Sequence, residues 1–366
     1  MKLAIVHDYL NQYGGAERVI EALHKLYPDA PIYTSIYFPE NLPHIFKSMD
    51  VHTSFMQRLP LIKKHFKKYF LLYPCAFASF SLSGYDVILS SSTAYAKGVK
   101  IPPKTLHICY CNTPARFIWR YEQYMEKEEM GKFTKTAIKI LAGGLKNWDI
   151  ETAQKVDYFI ANSENIKKRI KDAYGRDSHV IYPPIETAKF SISDKIEDYF
   201  LAVSRLNAYK RMDLVIQAFS RLKLPLRIIG DGPYRKNLEA LAVGSHIQFL
   251  GRVDERTLIE NYARCQALIF PGEEDFGIVP LEAQACGRPV IAYAAGGALE
   301  TVIQGTSGIF FSNQSEEALI EAVKNLQRIQ PALDSRKIRS NALHFDKEVF
   351  KHRIRSFILE KYSSHK

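Results

Sequence analysis

From about residue 200 to 327 the chain alternates, with little interruption, between short apolar runs and amphipathic stretches. The apolar runs lie near 200–203, 226–229, 247–250, 267–270, 290–292 and 308–311. Helical spacing fills the gaps, at about 212–222, 234–242, 254–264, 279–286, 299–303 and 315–327. Continuous apolar runs suit strands buried on both faces, and their alternation with helices argues a parallel sheet covered on both sides.

The first half carries the same grammar less cleanly. A strand at 3–6 leads through a turn containing Gly14 and Gly15 into a helix from about 16 to 26. Further strands are expected at 85–89, 106–110, 158–161 and 179–182, with helices at 145–155 and 164–173. Tyr182-Pro183-Pro184-Ile185 interrupts regular structure, because proline disfavours helix at the residue before it. A chain of 366 residues suits two domains. The expected fold class is therefore α/β, with two Rossmann-like doubly wound domains: one over 1–183, the other over 184–344.

Hydrophobic content of 46% and charged content of 24% are those of a soluble globular protein. The net charge of +11 implies anionic partners, whether nucleotides, phospholipid surfaces or nucleic acid. The 5 cysteines are odd in number and form no Cys-x2-Cys pair. Cys109 and Cys111 share one face of a strand, poor geometry for zinc. Buried thiols in a reducing compartment are expected. The first residues end their apolar run at His7 and Asp8, unlike a secretory leader. The most apolar stretch, 69–82, contains Pro74 and falls short of the ~18–20 residues that span a bilayer. A cytoplasmic protein is expected, with any membrane contact peripheral, at the inner face of the cytoplasmic membrane.

The chemistry gathers at strand ends. After the run at 267–270 come Pro271-Gly-Glu-Glu274-Asp-Phe-Gly277-Ile278-Val279-Pro-Leu-Glu282, a glycine-containing turn that opens a helix. A strand end followed by a helix N-terminus is where a doubly wound sheet places its ligand, and the free N–H groups favour an anion. Glu274 and Glu282 flank that seat and can accept hydrogen bonds from sugar hydroxyls, or simply complement the helix dipole. After the run at 200–203 stand Arg205 and Lys210, a fork and a point charge suited to a diphosphate. No Asp-x-Asp metal motif exists, so no metal or other cofactor is expected. Gly230-Asp-Gly232 is half of a dinucleotide fingerprint, equally readable as a tight turn.

Glu274 and Glu282, with Phe276-Gly277-Ile278-Val279 between them, resemble the Glu-x7-Glu signature of retaining glycosyltransferases of the GT-B superfamily, family 4. That resemblance implies two domains facing across a cleft, with a C-terminal helix at about 345–366 crossing back to complete the N-terminal domain. It implies an acceptor-binding first domain and a donor-binding second. Glu274 would contact the transferred sugar, Glu282 the ribose, and Arg205 and Lys210 the diphosphate. The N–H groups of Gly277, Ile278 and Val279 would assist. Gly15 would lie near the donor phosphates, Val253 along the base pocket, and Asp8 and Tyr9 on the acceptor side.

Tyr110-Cys-Asn112-Thr-Pro-Ala-Arg116-Phe-Ile-Trp119 and Ser90-Ser-Ser-Thr-Ala-Tyr-Ala-Lys97-Gly98 resemble segments of bacterial O-antigen-type mannosyltransferases within the same family. The branch carries histidine where Asn112 stands; asparagine hydrogen-bonds but does not titrate near neutrality. Arg116 falls on the acceptor side. His107 suits a core histidine. The turn at Gly296-Gly297 resembles the same branch, and Glu300 there suits either a donor contact or dipole compensation.

This branch implies transfer of a hexose, mannose from GDP-mannose, to a glycan or polyprenyl-diphosphate-linked acceptor in surface polysaccharide synthesis. Apolar residues at helical spacing over 59–70 predict an amphipathic helix whose Lys63, Lys64, Lys67 and Lys68 would face an anionic membrane. Rival expectations are a UDP-sugar donor, a nucleotide-sugar epimerase or phosphorylase of the same fold, and a non-catalytic basic module binding RNA or membrane. No RNA-binding motif accompanies the positive charge, so nucleic acid is not expected as a partner.

Overall fold

The computed structural model describes residues 1–119, 132–244 and 246–365, with the backbone alone for 132–142. The chain forms two compact units, Met1–Pro184 with Glu348–Lys366, and Ile185–Lys347.

The first unit holds a parallel sheet of β1 (Leu3–His7), β2 (Ile32–Thr34), β3 (Val51–Thr53), β4 (Val87–Ser92), β5 (Leu106–Cys111), β6 (Tyr158–Ala161) and β7 (Ser178–Val180). Their order is β3-β2-β1-β4-β5-β6-β7, with Leu3 opposite Val87 and Ile5 opposite Ile32. β1, β4 and β5 are buried along their whole length, Ser90–Ser92 and His107 included. The helix Gly15–Leu26 lays Val19, Ile20 and Leu23 on one face of the sheet. The C-terminal helix Lys347–His365 adds Phe350, Ile354, Phe357 and Ile358 to that core. It thereby completes the first unit, as expected.

The second unit is a parallel sheet of β8 (Phe200–Val203), β9 (Leu226–Ile229), β10 (Ile247–Gly251), β11 (Leu268–Phe270), β12 (Val290–Tyr293) and β13 (Gly308–Phe311). Its order is β10-β9-β8-β11-β12-β13. Both sheets are doubly wound: successive strands step outward from the centre in one direction, then in the other. The reversals fall between β1 and β4 and between β8 and β11, and these switch points are where such sheets place ligands.

One expectation fails outright. The segment at 59–70 is not a single amphipathic helix but short pieces, Ile62–His65 and the 3-10 turn Phe66–Tyr69, entered through Leu61 in the left-handed region (φ 53). Pro60 and this reversal stop any helix from running through, whatever the apolar spacing. Lys63, Lys64, Lys67 and Lys68 therefore lie on successive turns rather than along one helix face.

Candidate active site

The β8/β11 switch point gathers the charged residues singled out in the second half of the chain. β8 ends at Val203, and Ser204–Arg211 form a loop with a 3-10 turn at Ala208–Lys210. β11 ends at Phe270, and the loop carrying Glu274 runs to Gly277. Gly277, at φ 95, turns the chain into the helix Ile278–Ala285. The structure brings Lys210 and Glu274 together: Lys210 Nζ donates to Glu274 Oε1. Neither is sealed from solvent, at 13% and 26% side-chain exposure, so an anionic ligand can compete for the lysine. Arg205 is exposed on the same loop.

Glycines shape these loops by letting main chains touch. A methyl group on Gly297 would fall 2.2 Å from Phe276 Cα, and Gly297 N donates to Glu274 O at 2.9 Å. The Gly296-Gly297 turn thus supports the Glu274 loop from behind. Gly230 and Gly232 likewise lie against the main chain of Ser204 and Leu206. They are close-packing glycines beneath the Arg205 loop, which accounts for the incomplete fingerprint. Glu300 lies in the one-turn helix Ala298–Thr301.

Glu282 is buried, at 3% exposure, on the helix Ile278–Ala285. Tyr262 Oη donates to its Oε2 at 2.7 Å and fixes its rotamer. Ile278 and Val279 form the first turn of that helix and are half-buried. Val253 is half-buried between β10 and the helix Glu255–Arg264.

In the first unit Gly15 is exposed at the start of its helix. Asp8 departs from the expected acceptor-side role. It is fully buried, and its carboxylate accepts from the N–H groups of Thr93, Ala94, Tyr95 and Ala96 and from Thr93 Oγ1. It caps the loop after β4 instead of facing outward, because those converging amides are a better partner for a buried carboxylate than water it cannot reach. Tyr9 packs edge-on against Phe66, 5.4 Å between centroids, and against Tyr73. Asn112 is buried and donates from Nδ2 to Ser91 Oγ at 3.0 Å, while its main-chain carbonyl accepts from Asn162 Nδ2 at 2.8 Å. Arg116 begins the short helix Arg116–Trp119 and is half-buried.

His107 is wholly buried, with Nε2 2.8 Å from Ser90 Oγ and no partner for Nδ1 among the described residues. Sequence reasoning missed a buried ionic cluster beside it. Lys97 pairs with Asp149 and donates to Ala94 O at 2.9 Å, while Trp119 Nε1 and Tyr174 Oη donate to Asp149. Lys97 and Asp8 thus fasten the same loop from two sides. The cysteines are all free, and burial pushes the Cys109 and Cys286 thiols up to about 12, which leaves them unreactive. Among the described residues no cluster of three or more His, Cys, Asp or Glu could hold a metal ion.

Two family models match the chain, Glycosyltransferase Family 4 over 13–189 and Glycosyl transferases group 1 over 185–343. Together the two glycosyltransferase models account for residues 13–343. The chain is 28% identical over 209 residues to a D-inositol 3-phosphate glycosyltransferase of Geodermatophilus obscurus, covering 48% of the chain and 46% of that relative. It is 33% identical over 143 residues to a GDP-mannose-dependent alpha-(1-6)-phosphatidylinositol monomannoside mannosyltransferase of Mycolicibacterium smegmatis, covering 34% of the chain and 37% of that relative. The matches thus span half or less of the length of these curated relatives. Among solved structures, sucrose-phosphate synthase from Thermosynechococcus elongatus superimposes with TM-score 0.78 at 16% identity, covering 100% of both chains. HepE of Anabaena in complex with UDP gives 0.73 at 18%, covering 98% of this chain and 100% of that one. These likenesses establish the GT-B fold of two Rossmann-like domains expected from the sequence.

Proposed function

We propose that the protein is a retaining, metal-independent glycosyltransferase that moves mannose from GDP-mannose to a glycan or lipid-linked glycan acceptor in bacterial surface polysaccharide synthesis. The observation that carries the reading is the Lys210–Glu274 pair at the β8/β11 switch point, beside a helix N-terminus. In this reading Lys210 and Arg205 bind the diphosphate and stabilise the charge that grows on it. Glu274 orients the sugar, the N–H groups at Gly277 to Val279 add to the anion seat, and Glu282, held by Tyr262, addresses the ribose. The bond from the anomeric carbon to the phosphate oxygen breaks, with its electron pair leaving on the diphosphate. The acceptor oxygen bonds to the same face of that carbon, and its proton passes to the departing phosphate. Preorganised charge supplies most of the rate.

Mannose and GDP are favoured by the GDP-mannose-dependent relatives. The UDP bound to the fold neighbour HepE supports the second reading, a UDP-sugar donor. Metal-free thermal shifts with GDP, UDP and ADP separate the two, since a ligand of the folded state raises Tm with occupancy. A GDP-selective shift is expected. A UDP-selective shift replaces the donor, and no shift with any nucleotide removes the transferase reading.

No described helix is long and apolar enough to cross a membrane. For a lipid-linked acceptor, Leu61, Leu71 and Leu72, exposed at 67%, 42% and 37%, beside Lys63, Lys64, Lys67 and Lys68, suit peripheral contact with anionic lipid. Binding to anionic vesicles no stronger than to neutral ones would remove the membrane from this proposal.

A further inference from the structure

The loops that carry Lys210 and Glu274 leave different strands, so their separation is set by non-covalent contacts. One contact is direct: a methyl group on Gly272 would lie 3.3 Å from Lys210 O and 3.4 Å from Lys210 Cα, so the two main chains run close together there. A second link comes from outside both loops. Gln314 follows β13 and immediately precedes Ser315, whose Oγ accepts from Ala318 N at 3.2 Å and caps the helix Glu316–Ile329. That helix is fixed in the second unit's core through Leu319, Ala322, Val323 and Leu326.

From this anchored position the Gln314 amide is engaged at both ends. Its Nε2 donates to Pro271 O at 2.8 Å, at the start of the Glu274 loop. Its Oε1 accepts from Arg211 Nη1 at 3.2 Å, one residue beyond Lys210. Arg211 sits in the left-handed region, φ 56 and ψ 35, where a non-glycine residue is strained. Its Nε also lies 3.3 Å from Asp213 Oδ1. A strained turn held by side-chain bonds on its far side is a fixed turn, and Lys210 is the residue it delivers.

We infer that Gln314 is a positioning residue: it braces the loop after β8 to the loop after β11 and so sets the register of Lys210 against Glu274. The inference rests on reading this switch point as the donor site. An amide is suited to the task because one end must accept from a guanidinium and the other must donate to a carbonyl. Glutamate would keep the first bond and set an oxygen against Pro271 O. Methionine would fill similar space and make neither.

The test uses the full chain with Gln314→Met, Gln314→Glu, Arg211→Met and the Gln314→Met/Arg211→Met double variant. Tm, calorimetric Kd for free GDP and UDP, and kcat with the turned-over nucleotide sugar are measured. Free nucleotide lacks the sugar, so its affinity does not report Glu274, whereas turnover needs Lys210 and Glu274 in register. Gln314→Met is expected to lower kcat by about tenfold to a hundredfold. Its nucleotide Kd should stay within about threefold of wild type, the signature of an interaction realised in turnover rather than in binding. Gln314→Glu should fall between, and the double variant should be no worse than the poorer single one, because both act through one link. A Gln314→Met kcat within about twofold of wild type overturns the inference. So does a parallel fall of Tm, affinity and kcat in both Gln314 variants, which would mark a general folding role. A wild type that binds neither nucleotide and turns over no nucleotide sugar overturns the donor-site reading itself, and the brace with it.

Discussion

At the β1/β4 switch point a carboxylate is buried beneath main-chain donors; at the β8/β11 switch point a carboxylate meets a lysine within reach of solvent. The first arrangement is closed. The Asp8 carboxylate already satisfies the amides of Thr93 to Ala96. The second arrangement is open to exchange, since Lys210 can turn from Glu274 to a phosphate. One topology, repeated in one chain, thus builds a structural lock in one unit and a candidate binding site in the other. Being at a switch point does not identify a site; whether its charges are already satisfied does.

The sharpest way to break this comparison is to remove a carboxylate from each side. Glu274→Gln should lower transfer by about a thousandfold, while nucleotide affinity and Tm stay near wild type. Asp8→Ala should do the reverse in kind. Four main-chain donors lose their acceptor in the interior, a cost of about 3 kcal/mol or more. Both tryptophans, Trp119 and Trp148, lie in the first unit, so the urea midpoint by tryptophan fluorescence reports that unit. Faster amide exchange at Thr93 to Ala96 should accompany the loss. An Asp8→Ala protein with wild-type midpoint and wild-type exchange would show that the lock holds nothing. A Glu274→Gln enzyme of normal rate would remove the second switch point from the chemistry.

The two switch points also differed in how far the sequence disclosed them. Lys210 and Glu274 stand just past β8 and β11, whose runs Phe200–Val203 and Leu268–Phe270 are apolar throughout and bounded by polar turns. Placing those strands places the charges. Asp8 is equally visible at the end of β1, but its partners are main-chain amides some 85 residues later, and an amide has no letter in a sequence. Gln314 was hidden for the same reason: one of its partners is the Pro271 carbonyl. β2 and the edge strand β3, three residues each and mixed in polarity, gave no apolar run to detect. The helix Ser335–Leu343 also passed unseen. It buries only Ile338 and Ala342, so its periodicity is faint, although Asp334 caps it through Arg336 N at 2.7 Å.

The mildest test asks whether the interior of the first unit is closed to protons. Burial, with the Lys97 charge nearby, pulls the His107 imidazole down to about 3, so it is neutral in the folded protein at any ordinary pH. In the unfolded chain it takes up a proton near 6.5. Between about 3 and 6.5 the unfolded state therefore binds one more proton, and stability must rise with pH across that window, by at most ~1.4 kcal/mol per pH unit. The contribution is complete above about 6.5 and is lost as pH falls toward 3. Glu186, in the second unit, acts lower: burial would raise it, but hydrogen bonds from Lys347 and Lys189 bring it to about 2, so its share is lost only below about 4.5. In His107→Gln, which can still bond Ser90, the tryptophan-reported urea midpoint should depend less on pH between about 5 and 6.5, the stability slope falling by about half a proton at 6.5 and about one at 5. An unchanged slope would mean that His107 accepts a proton without unfolding, and that water reaches the ends of β4 and β5 which the structure shows as sealed.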